Sequence, residues 1–206
     1  MKLTNLIWVL ALAGAVAACN SGSPITGEPP PPPTGGTGGG NGGGGAGGMG
    51  GGLQGNCINE ADAAVYAQLD FVNGKGEPSS GTDASSAIGS ECVRGSVSSV
   101  PPVEGCGEET FAVIACLGNC PQETIDALAD CTFACTRDTI EEITGGDTLS
   151  DECLSCTGET VACGAAFCTP PCVASTTAPA CIECRCAEGC TPQFVICSGI
   201  PTTDCD

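Results

Sequence analysis

Nineteen of the 206 residues are cysteine, and no other property narrows the possible folds of this chain so far. Cysteine at that density belongs to scaffolds held together by covalent bridges. The rest of the composition agrees. Beyond residue 55 the aromatic side chains are Tyr66, Phe71, Phe111, Phe133, Phe167 and Phe194, and the single Trp is Trp8. Burial of so few large apolar groups offsets little of the conformational entropy lost on folding, so cross-links are needed. The cysteine count is also odd, which leaves one of them to explain.

The first 18 residues carry Lys2 and then "LIWVLALAGAVAA", an apolar run too short to span a bilayer and closed by small side chains. This is the pattern of an export signal. Val16-Ala17-Ala18-Cys19 resembles the lipobox of bacterial lipoproteins. That resemblance implies that residues 1–18 are removed and that Cys19, the new first residue, is the lipid attachment site holding the chain to a membrane. Without Cys19 there are 18 cysteines, an even number in an oxidising compartment, and nine disulfides are expected. Asn20 follows the cysteine, not the Asp that retains such proteins at the inner membrane. The resemblance therefore implies an outer-membrane lipoprotein of the cell envelope, facing periplasm or surface.

Residues 19–56 read as the lipidated N-terminus and a Pro/Gly tether. Pro29 to Pro33 favours a stiff polyproline II spacer, and the Gly-rich run from Gly35 favours flexible coil. Residues 57–206 read as one disulfide-rich domain. The chain has 24 acidic and 5 basic residues, a formal charge of −19, which disfavours nucleic acid as a partner and leaves a cationic or protein partner open. The absence of His excludes Ser-His-Asp and Cys-His nucleophile systems, and nothing marks a catalytic residue, a cofactor or a metal site.

The head has helical patterning with cysteines in its apolar stripe. Asn59 is a candidate cap for a helix over residues 59–71, and "DFVNGKGE" at 70–77 has turn composition. Residues 72–105 read as mostly irregular. Helices are expected over 108–120 and 124–144, the second with Ile125, Leu128, Cys131, Cys135 and Ile143 on one face and Gly145-Gly146 as its stop. Cys116-x3-Cys120 and Cys131-x3-Cys135 then form a twin CX3C arrangement. Residues i and i+4 share a helix face, so two antiparallel helices can be stapled outer to outer and inner to inner, predicting Cys116–Cys135 and Cys120–Cys131. Pro121 requires a turn between them. The spacing resembles the helical hairpins of plant alpha-hairpinins and of small chaperones of the mitochondrial intermembrane space, and implies the hairpin alone.

Further on, Ser150 is a candidate cap, Thr177-x-Pro179 and Thr191-Pro192 are later helix starts, and Gly189 and Gly199 are stops. Pro170-Pro171 argues against regular helix between Cys168 and Cys172, so three or four short helices are expected. The remaining disulfide cysteines are Cys57, Cys92, Cys106, Cys153, Cys156, Cys163, Cys168, Cys172, Cys181, Cys184, Cys186, Cys190, Cys197 and Cys205. Cys57 with Asn59 and Asp62, the twin CX3C, Leu149-Ser150, the pairs Cys153-x2-Cys156 and Cys181-x2-Cys184, and the closing "CSG" at 197–199 carry a further likeness. Together they resemble a secreted Cys-rich helical module of myxobacterial lipoproteins and some exported protist proteins, for which no activity is implied. The expected class is all-α: a small disulfide-rich head of short helices, twin CX3C hairpin included, on a disordered tether. The expected function is non-enzymatic display of that head for binding or structural purposes. The alternative is an envelope thiol-disulfide oxidoreductase or metal-binding protein using Cys153/Cys156 or Cys181/Cys184.

Overall fold

Among the described residues, seven helices and one hairpin follow each other in the order α1 Glu60–Tyr66, β1 Asp70–Val72, β2 Pro78–Ser80, α2 Gly81–Arg94, α3 Gly107–Ala115, α4 Gln122–Thr144, α5 Asp151–Cys172, α6 Pro179–Ala187 and α7 Cys190–Ser198. The computed structural model describes residues 55–95, 98–116 and 118–205. The expected leader, the Cys19 anchor and all of the tether before Gly55 lie outside the described residues. The head is all-α in class and disulfide-rich, with nine bridges among the described cysteines.

Polar side chains set the helix starts. The Asn59 carboxamide oxygen accepts from the Asp62 backbone N–H at 2.9 Å, closing the first turn of α1. Asp62, 1% exposed, then accepts from Ser150 N and Ser150 Oγ, both at 2.7 Å, and from Asn59 Nδ2 at 2.7 Å. A buried carboxylate is thus fully occupied by donors, and it fixes α1 against the N-terminus of α5, where negative charge is favoured. Ser150 caps α5 through the Cys153 N–H, Gly145 (φ 81°) closes α4 and Gly199 (φ 75°) closes α7.

α1 stops at Tyr66, earlier than the expected end at residue 71, because the next apolar residues leave the helix to form a sheet edge. Asp70–Val72 pairs antiparallel with Pro78–Ser80 in the register Asp70↔Ser80, Phe71↔Ser79, Val72↔Pro78. Asn73 Oδ1 closes the connection by accepting from Lys75 N at 2.9 Å and Glu77 N at 3.0 Å. Within residues 72–105, expected to be irregular, α2 is a 14-residue helix. Its Gly and Ser content opposes helix locally, but Ala84, Ile88 and Cys92 recur every four residues and all are buried. Tertiary packing, not propensity, forms this helix.

The core is thin in aromatic surface, as the composition requires: Phe71 is the one aromatic ring among its fully buried side chains, beside Leu69, Ile88, Leu128, Ile140, Leu149 and Leu154. Cysteine sulfur fills much of the rest, with Cys92, Cys153 and Cys168 at 0% exposure. On α4 the centre of the buried face is threonine, Thr132 and Thr136, flanked by Leu128 and Ile140. Thr132 Oγ1 donates to the Leu128 carbonyl at 2.7 Å, which satisfies a hydroxyl that burial would otherwise penalise. Cys131, Cys135 and Ile143, expected on that face, lie at its half-buried margin.

The predicted pairs Cys116–Cys135 and Cys120–Cys131 are not the ones formed. The bridges are Cys116–Cys120, Cys106–Cys131 and Cys92–Cys135. α3 ends at Ala115, so Cys116 and Cys120 do not sit on one helix face; they flank a turn around Gly118 (φ 81°) that folds them onto each other. The second CX3C, on a true helix, presents both cysteines to one side as expected. Its partners are Cys92 at the end of α2 and Cys106 just ahead of α3. A second correction concerns Pro170-Pro171, which lie inside α5. They occupy its last turn, where few backbone bonds are forfeited, and Cys168–Cys184 and Cys172–Cys181 clamp the prolines from both sides against α6.

α5 is crossed at close range by two helices. A Cβ on Gly158 would stand 2.7 Å from the Ala129 carbonyl oxygen of α4, and one on Gly89 of α2 would stand 3.2 Å from Val161 Cγ2. Gly158→Ala is therefore expected to destabilise the head by about 1–3 kcal/mol through overpacking, although the same change in an open helix would stabilise it. Thermal unfolding of the oxidised protein checks this; an unchanged or raised melting temperature would contradict the close approach.

Candidate functional site

Each cysteine of the two CxxC motifs is bridged to a different partner. Cys153 joins Cys57 and Cys156 joins Cys197; Cys181 joins Cys172 and Cys184 joins Cys168. A redox CxxC shuttles between a dithiol and an internal bridge. Neither motif is arranged so, since successive cysteines fasten α5 and α6 to other parts of the chain. Cys163–Cys190 and Cys186–Cys205 complete the set. Among the described residues no group of three or more His, Cys, Asp or Glu is placed to hold a metal ion.

The feature with room for chemistry is a groove of about 490 Å³. α2 supplies Thr82, Ser85, Ser86, Ser90 and Val93 to its lining, and α5 supplies Thr157, Thr160, Val161, Gly164, Ala165 and Thr169. α6 adds Arg185, α7 adds Phe194, and the C-terminal segment adds Ile200, Thr202 and Asp204. The volume falls within the range of pockets that take drug-sized ligands, and the mixture of apolar wall with a few polar groups is also typical of them. Bridges from α5 to both α6 and α7 hold this wall in place.

Two polar groups of the lining are incompletely satisfied. Ser85 is 3% exposed and its Oγ has no hydrogen-bond partner of good geometry among the described residues. Arg185 is half-buried and makes no ion pair or hydrogen bond with any described residue. The other described cations are engaged: Arg94 with Glu91 at 3.6 Å, Arg137 with Asp138 at 2.7 Å, and Lys75 Nζ with the Ala174 carbonyl at 2.9 Å. Burial pulls the Arg185 pKa below its ordinary value, and the charge of Asp204 acts against that shift; a guanidinium nonetheless stays protonated. The Arg185 stem lies over α5 at Gly164, whose added Cβ would just meet Arg185 Cδ at 4.0 Å.

At the other side of α2, Tyr66 lines the same groove, its hydroxyl 3.1 Å from Cys153 Sγ. Burial raises the Tyr66 pKa, the charge of Asp62 raises it further, and the neighbouring Ser85 hydroxyl lowers it. The groove escaped the sequence reading because α2 itself did. The signal was present as Thr82, Ser85, Ser86 and Ser90 beside Thr157, Thr160, Val161 and Gly164, small or hydroxyl residues at steps of three and four. No family model, no curated protein and no solved structure matches the chain.

Seven bridges have at least one buried cysteine, whereas Cys116–Cys120 and Cys186–Cys205 have none. Cys116–Cys120 closes a separation of only 4 residues, worth about 2 kcal/mol by chain entropy, against more than 4 for the 96-residue span of Cys57–Cys153. Mild reductant under native conditions should open those two bridges first and leave seven closed, as alkylation and intact mass will read. Early opening of Cys153–Cys57 or Cys156–Cys197 would instead favour the redox alternative. Tyr66 is the only tyrosine in the chain, so its phenolate absorbance reports one site. Its raised folded pKa means that stability is intact below the unfolded value of about 10 and declines as pH rises beyond it. The expected titration therefore shows essentially no phenolate in the folded head at pH 10–10.5 and about half to three-quarters phenolate there once the head is reduced and unfolded.

Proposed function

We propose that this chain is a non-enzymatic, lipid-anchored protein of the bacterial cell envelope whose disulfide-stapled head holds a ligand in the groove between α2 and α5–α7. The groove carries the reading. Its volume of about 490 Å³ is that of a ligand site, one wall is the cross-linked set α5–α7 and the other, α2, is bridged to α4, a geometry set before any ligand arrives. Preformed walls of this kind spare the ordering cost of binding and need no chemistry from the cysteines themselves.

The anchor rests on Val16-Ala17-Ala18-Cys19, and outer-membrane placement on Asn20 in the position after it. Pro29 to Pro33 and the Gly-rich run from Gly35 then act as spacer between Cys19 and the head. An acidic surface on the head suits solubility near an anionic membrane and leaves the groove as the recognition element.

Expression in a lipoprotein-processing bacterium tests the anchor. The wild-type chain should partition with membranes and show a mass for residues 19–206 plus acyl chains, while Cys19→Ala should be found in the soluble periplasmic or extracellular fraction with its 18 head cysteines still oxidised. A wild-type chain with an unmodified Cys19 would end the lipoprotein reading.

A further inference from the structure

We infer that the groove takes a monocarboxylate with an apolar body, its carboxylate paired with the guanidinium of Arg185. The inference deepens the ligand-binding reading above and rests on it. The first observation is the unengaged cation. The chain has a formal charge of −19, yet Arg185 makes no ion pair or hydrogen bond with a described residue, and the charge of Asp204 acts on it only from beyond contact distance. It stands half-buried in the wall of the groove, its stem laid over Gly164. A guanidinium removed from water with its planar fork of donors unused is matched by a planar carboxylate, which it binds through two parallel hydrogen bonds.

The surroundings set the ligand's charge and shape. Asp83 and Asp204 also line the groove and Arg94 is already paired with Glu91, so a dianion such as a phosphate monoester meets more repulsion there than a single negative charge does. Beside Arg185 the lining continues with Val161, Ala165, Phe194 and Ile200, apolar surface that water leaves at a gain. On the α2 wall the buried Ser85 hydroxyl lacks a partner of good geometry, and a polar atom on the ligand body would supply one. Of the two cations in the lining, Arg94 is paired with Glu91 and Arg185 is left for a ligand; with the apolar bed beside it, this describes an organic acid with a single charged end.

The test uses the full chain with disulfides intact and three probes of equal length: octanoate, its neutral amide octanamide, and the dianion octyl phosphate. Binding is followed by calorimetry and by the fluorescence of Tyr66 at the groove wall. Octanoate is expected to bind saturably and at least about tenfold more tightly than either of the others. Arg185→Gln should remove that preference while leaving octanamide unchanged, and Arg185→Lys should restore part of it. Because Arg185 makes no ion pair or hydrogen bond with a described residue, these variants should keep the wild-type circular dichroism and oxidised mass. Equal binding of octanoate and octanamide, unaffected by Arg185→Gln, would overturn the carboxylate inference and leave the groove as a ligand site. No binding of any probe by the folded wild-type chain would overturn both.

Discussion

Five of the nine bridges begin on α5, and everything else in the head is arranged by that fact. Cys153, Cys156, Cys163, Cys168 and Cys172 reach, in order, the start of the domain, the end of α7, the start of α7 and two points on α6. None of these cysteines bonds to another within α5, so each covalent link spans two elements. The two helices that cross α5 without a bridge to it are instead packed against it by glycine, Gly158 of α5 against α4 and Gly89 of α2 against Val161.

Such a spine changes what the apolar core must do. A domain of this length would ordinarily bury several aromatic rings, and here Phe71 is the one aromatic among the largest fully buried side chains. The bridges restrict the unfolded ensemble, so the modest burial by Leu128, Ile140, Leu149 and Leu154 has less entropy to overcome. Polar interiors become tolerable on the same terms. Thr132 and Thr136 occupy the middle of the buried face of α4, and Asp62 lies 1% exposed beneath Ser150. Each is acceptable because a carbonyl, a sulfur or a set of donors meets it.

How much of this was legible beforehand depends on which kind of physics wrote the signal. Local rules were readable: Asn59 and Ser150 as caps, Gly145 and Gly199 as stops, and the even count of 18 cysteines as nine bridges. Pairing was not readable, because it is set by where helices cross. A two-helix staple of Cys116, Cys120, Cys131 and Cys135 assumed that α3 continued to Cys120, and α3 ends at Ala115. That single early termination releases Cys131 and Cys135 to α2 and the α3 entry. α2 was hidden for a related reason: its Gly and Ser residues argue locally for coil, while its four-residue spacing of Ala84, Ile88 and Cys92 acquires meaning only against α4 and α5. The groove, a product of α2's placement, was hidden with it.

The place where the chain enters the head has a mechanical meaning. Asn56 and Cys57 donate to the carbonyls of Cys197 and Ser198, and three residues after Cys153 the bridge to Cys197 ties the same region again. A pull on the polypeptide ahead of Gly55 therefore reaches Cys57 and passes through its sulfur directly into α5, skipping the 96-residue separation along the backbone. α1, the hairpin and α2 lie outside that load path. Tension that would peel an unbridged helical bundle open from its first element meets a covalent bond instead, and a protein held by its N-terminal side in moving fluid would keep its groove under strain.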